Sequence, residues 1–79
     1  MASIEEINEL VANKEFSEAK KKVEESISEN SDNVEFLKLA GLTYVNLELW
    51  KNAKSSFESV IKYSSDDATS WFYLAKCYE

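Results

Sequence analysis

Histidine, arginine and proline are missing from these 79 residues, and glycine, cysteine and methionine occur once each. Without histidine the chain lacks the commonest general base and metal ligand. Without arginine it lacks the planar fork that grips phosphate through two bonds at once. All nine bases are lysines, and fifteen acids outnumber them to leave a net charge of −6, which repels nucleic acid and anionic membrane surfaces. A lone Cys77 cannot form an internal disulfide and gives no sign of an oxidising compartment. No apolar run approaches the roughly 20 residues of a membrane span. The acidic stretch at 1–6 has no apolar segment of the kind that a signal peptide needs. The expected location is therefore cytoplasmic, with the nucleus as the alternative.

What remains is rich in apolar residues at helical spacing. Apolar residues make up 44% of the chain, enough for it to fold as one small domain. Ser3 and Glu6 have the spacing of a capping box, and Ile4, Ile7, Leu10 and Val11 follow at helical intervals, which predicts a first helix over about 3–13. After a polar connection, Phe16 and Ser17 open a second helix, with Ser17 as its expected N-cap and Ala19, Val23 and Ile27 as its apolar face. Its Lys20, Lys21 and Lys22 lie beside Glu24 and Glu25 and read as a solvated face.

Helices three and four are predicted over about 34–46 and 51–63, and a fifth runs from Ala68 to the end. The turns between them use Asn, Ser and Asp, with Asp32 and Asn33 expected to cap the third helix and Asp66 and Asp67 the fifth. The third helix carries Phe36, Leu37, Leu39, Ala40, Leu42, Tyr44 and Val45. It is apolar on nearly all sides, so it either touches neighbours on both flanks or lines a groove. Within it stands Gly41, where glycine costs about 1 kcal/mol against alanine. The expectation is that Gly41 lets another backbone approach closely. Tyr44, Trp50, Phe57 and Trp71 are expected to pack in the core.

The blocks 15–33 and 49–67 superpose at a period of 34 residues, sharing Ala19/Ala53, Lys20/Lys54, Glu24/Glu58, Ile27/Ile61, Ser31/Ser65 and Asp32/Asp66. With LKLAGLTY at 37–44, Ala53, Phe57 and WFYLAKCY at 71–78, the chain resembles the tetratricopeptide repeat (TPR) family over its whole length. The resemblance implies an all-α fold of about five helices, stacked as antiparallel pairs in a short right-handed solenoid. Repeat one would cover about 1–33, repeat two about 34–67, and the first helix of a third about 68–79.

The resemblance further implies a concave groove, lined by the first helix of each pair, that binds a partner protein or peptide. Carried over by position, that face would show Ile4, Asn8 and Val11, then Glu35, Lys38, Leu39, Leu42, Val45 and Asn46, then Thr69, Phe72, Tyr73 and Lys76. Phe72 and Tyr73 are shared between packing on the third helix and touching a ligand. One subclass of the family grips the C-terminal carboxylate of heat-shock chaperones with lysines, asparagines and an arginine. Of those places only Asn8 matches here, so a carboxylate clamp is not expected. The groove is expected to prefer an apolar or acidic-apolar segment, with Lys38 and Lys76 as isolated charges.

Nothing in the sequence assembles into a catalytic group or a cofactor site. Glu5-Glu6, Glu24-Glu25 and Asp66-Asp67 are adjacent pairs, which point apart on a helix. Cys77 has no nearby base to activate it and reads as a packed side chain. The expected role is protein–protein interaction without catalysis. The alternative is self-association through the fifth helix, whose Trp71, Leu74 and Tyr78 have no second helix to pair with. On that ground the species is expected to be a piece of a longer repeat array or to dimerise through this helix.

Overall fold

In the computed structural model, which describes residues 3–78, the chain forms α1 (Ile4–Ala12), α2 (Phe16–Ser26), α3 (Val34–Asn46), α4 (Trp50–Tyr63) and α5 (Ala68–Cys77). There is no strand among the described residues, and the all-helical class expected from the periodicity is what forms. Three of the helices, α1, α3 and α5, begin where a polar side chain satisfies a free N–H group of the first turn. Ser3 accepts from the N–H of Glu6, Asn33 from Phe36 and Asp67 from Ser70. Asp66 does not share the capping of α5; its carboxylate instead accepts from the Ser64 hydroxyl at 3.4 Å.

Ser17 is not the N-cap of α2. The chain turns earlier, three residues before Ser17, at Lys14, which sits in the left-handed region with φ 62°. Two backbone bonds close that turn, Lys14 N–H to Val11 O at 3.0 Å and Glu15 N–H to Leu10 O at 2.8 Å. This is the Schellman pattern that ends a helix by satisfying its last carbonyls. It leaves Glu15 as the N-cap, without a side-chain bond, and puts Ser17 inside the first turn.

The same turn recurs 34 residues later. Glu48 has φ 58°, its N–H donates to Val45 O at 3.0 Å, and the Leu49 N–H donates to Tyr44 O at 2.9 Å. The caps Asn33 and Asp67 have the same separation. The period read from side chains is thus also present in the backbone.

Each helix packs on the next, and α1 also packs on α3; the α3–α4 contact is the most extensive. Short connections favour this neighbour-on-neighbour arrangement. The core has two parts. Ile7, Val23, Phe36, Leu39, Ala40, Tyr44 and Ala53 form one, and Leu37, Phe57, Val60 and Leu74 the other. The central helix α3 contributes to both, and Val45 touches both, which accounts for its apolar residues on nearly every side.

Gly41 admits a side chain rather than a backbone. A β-carbon there would lie 2.5 Å from Cε2 and 2.6 Å from Cζ of Phe57, whose ring is fully buried. Two expected core aromatics lie elsewhere. Trp50 is 41% exposed because it opens α4 at the helix end, and Trp71 is 52% exposed because α5 packs chiefly on α4 and turns Trp71 away from it.

Gly41→Ala sets a helix-propensity gain of about 1 kcal/mol against an overpacking cost of about 1–3 kcal/mol. Phe57 is fully buried and stacked on Tyr73, so the net effect should be destabilising, by about 1 kcal/mol or more. Urea unfolding measures it, and an unchanged or raised midpoint would show that the ring can move aside.

Candidate functional site

An open concavity lies between α1 and α3. Ile4, Glu5 and Asn8 form one wall, and Val34, Glu35, Lys38, Leu39 and Leu42 the other, around an open space of about 890 Å³. Helical periodicity places these residues together. Ile4 and Asn8 are one turn apart on α1, and Lys38 and Leu42 one turn apart on α3, so each pair shares a face. The aliphatic side chains Ile4, Val34, Leu39 and Leu42 make up the apolar part. Glu5, Glu35, Lys38 and Asn8 supply the polar part.

Six residues assigned to a groove face from the sequence meet here: Ile4, Asn8, Glu35, Lys38, Leu39 and Leu42. Glu5 and Val34 join them without having been foreseen. From the sequence, Glu5 is one of an adjacent acidic pair and Val34 the first position of the third helix. The other assigned residues are placed differently. Val11 packs against the first core cluster and Val45 against both. Asn46 is exposed, and its amide donates to the Leu42 carbonyl at 2.8 Å.

On α5, Thr69 is exposed and Tyr73 stacks on Phe57, with ring centroids 5.3 Å apart and planes 12° from parallel. Phe72 meets the Tyr73 ring edge-on, and the Lys76 ammonium lies over Phe72, 5.3 Å from its centroid. These residues form a separate aromatic surface, outside the α1–α3 groove.

Neither lysine is an isolated charge. Lys76 rests on its aromatic ring. Lys38 is paired with Asp67, Nζ to Oδ2 at 2.9 Å, and the Asp67 side chain retains only 13% of its exposure. Asp67 also accepts the Ser70 N–H at 2.9 Å, so one carboxylate caps α5 and ties it to α3. The Lys38 ammonium first, and then the Ser70 N–H, hold this carboxyl below the ordinary aspartate range.

The face of α5 expected to self-associate is divided. Leu74 is 2% exposed and packs in the second core cluster, so it is not available to a partner. The reason is helical geometry: Leu74 follows Trp71 by three residues, about 60° round the helix, which carries it over to the α4 side. Trp71 and Tyr78 remain outside at 52% and 64% exposure, with Ala75 exposed between them. Both have polar anchors. The Trp71 indole N–H donates to Ser65 O at 2.8 Å, and the Tyr78 hydroxyl donates to Glu58 at 3.1 Å.

Of the other reactive groups, Cys77 is partly buried, and burial and then the charge of Glu58 push its thiol up, away from the reactive thiolate. Burial and the charge of Glu24 raise the Tyr44 phenol. Among the described residues no group of three acidic or sulfur side chains could hold a metal ion, and no helix is long and apolar enough to cross a membrane. No family model, no curated protein and no solved structure matches this chain.

Because the Asp67 carboxyl is depressed in the folded state, its contribution to stability is fully present above the unfolded-state value near 3.8 and is lost as pH falls through the lower folded value. Asp67→Asn keeps a capping oxygen and removes the charge. The variant should be less stable near neutrality by about 1 kcal/mol, and the gap should close on acidification. Unfolding midpoints measured from pH 7 down to about 2 test this; a gap that stays constant would show that the ion pair contributes nothing.

Proposed function

We propose that this chain is a non-catalytic protein-interaction module, a short array of tetratricopeptide-type helix pairs that holds a segment of another protein between α1 and α3. The observation that carries the reading is the groove itself. It is open, it has an aliphatic lining with polar groups at hand, and it lies between α1 and α3, the two helices that the repeat reading makes first in their pairs. The backbone recurrences at 34 residues support the repeat assignment, with pairs at about 1–33 and 34–67 and α5 opening a third at about 68–79. The occupation of Lys38 by Asp67 and the absence of arginine speak against capture of a chaperone tail through its carboxylate. No cofactor belongs to this reading, nor does a nucleic acid or a membrane, and its expected location remains cytoplasmic.

Selection of peptides from a random display library against the immobilised chain, followed by amide shift mapping by NMR, tests it. Shifts should concentrate on residues 4–8 and 34–42. Leu42→Gln should weaken binding roughly tenfold, as expected for an apolar contact made polar, with helicity unchanged. A library that yields no binder, or binders that leave these residues unperturbed, would overturn the groove assignment.

A second reading, self-association through α5, is favoured by one observation: Trp71, Ala75 and Tyr78 form an exposed apolar stripe on a single face. Sedimentation at tens of micromolar should then give a dimer that Trp71→Lys converts to monomer. A wild-type species at 9.1 kDa under those conditions excludes this reading.

A further inference from the structure

The charges around the groove select its occupant, given that the groove is the binding site. Glu5 and Glu35 are exposed, and neither forms an ion pair among the described residues. The cation in the lining, Lys38, is already bound at 2.9 Å by Asp67. The groove therefore offers an incoming chain two uncompensated carboxylates and an ammonium that is not free.

An acidic residue in the occupant would have to share Lys38 with Asp67, whose carboxylate already offsets the charge of the ammonium, or else displace it. Asp67 also caps α5, so displacing it would cost the fold a helix cap as well as an ion pair. A basic residue meets no such competition and gains Glu5 or Glu35. The net charge of −6 favours its approach at long range.

We propose that the groove takes a short amphipathic segment of a partner protein, with aliphatic side chains on one face and lysines or arginines beside them. The aliphatic side chains would lie on Ile4, Leu39 and Leu42, and the basic ones would reach Glu5 and Glu35. This differs from the apolar or acidic-apolar preference expected from the sequence, which took Lys38 and Lys76 as isolated charges.

Three labelled peptides about three helical turns long test the charge rule by fluorescence anisotropy. One carries leucines on one face flanked by lysines, the second has glutamates in place of the lysines, and the third keeps the lysines but has alanines in place of the leucines. The leucine–lysine peptide should bind roughly tenfold or more tightly than the leucine–glutamate peptide, with a gap that narrows as salt is added. The double variant Glu5→Gln/Glu35→Gln should weaken the leucine–lysine peptide roughly three- to tenfold and should not weaken the glutamate peptide.

Equal or tighter binding of the glutamate peptide, with shifts on the groove residues, would overturn the charge rule and leave the groove reading standing. Equal binding of the alanine–lysine peptide would overturn it by showing attraction without a seat for side chains. If neither leucine peptide binds at hundreds of micromolar, the groove reading and the charge rule fail together.

Discussion

The ring of Phe57 takes the place of the β-carbon that Gly41 lacks, and three helices depend on that contact. Glycine inside α3 sacrifices about 1 kcal/mol of helix propensity. Burying a phenylalanine ring contributes about 1.5–3 kcal/mol, which more than offsets the loss. The ring comes from α4, lies against Gly41 of α3 and stacks on Tyr73 of α5. Its buried neighbours Leu37, Val60 and Leu74 come from the same three helices. The rotation of α5 follows from this: with Tyr73 and Leu74 turned towards α4, Trp71 and Ala75 are left exposed, while Tyr78 lies at the edge, its hydroxyl on Glu58 of α4.

That rotation also explains why Asp67 reaches Lys38. The residue that caps α5 is placed by the docking of the helix it caps, and from there its second oxygen meets the ammonium on α3. Groove and fifth helix thus share a side chain. Whatever loosens α5 frees Lys38 and changes the charge that the groove presents. Conversely, any occupant that engages Lys38 weakens the attachment of α5, since coupling between two sites acts equally in both directions.

The features legible in the sequence were those set by local chemistry. Ser3, Asn33 and Asp67 cap helices because their side chains reach the N–H three residues on, a relation confined to a few neighbouring positions. The five helices and their approximate bounds followed from such signals together with apolar spacing. What failed to show was tertiary or depended on unusual residues. Lys14 and Glu48 adopt a left-handed conformation without glycine or asparagine to announce it, so Ser17 was taken for the cap. The Lys38–Asp67 pair joins positions far apart in the chain, and no local pattern encodes it. Trp71 and Leu74 looked alike by spacing, and only the docking of α5 decides which of them is covered. For the groove, Ile4, Asn8, Glu35, Lys38, Leu39 and Leu42 followed from position in the family resemblance, whereas Glu5 and Val34, at the starts of α1 and α3, join the lining through the way the two helices meet.

Packing of each helix on its sequence neighbour also sets how the chain acquires its structure. Most of these contacts close only short loops, so little chain entropy must be lost before they form, and folding within microseconds to milliseconds is the regime for such topologies. The α3–α4 hairpin, with the Gly41–Phe57 contact inside it, can form before either end is in place. The outer helices should then add to it and leave it first, since their contacts are less extensive than those of the α3–α4 hairpin. Amide hydrogen exchange reads this order directly, slowest in α3 and α4 and faster in α1 and α5; uniform exchange through all five helices would mean that the chain opens as a single unit.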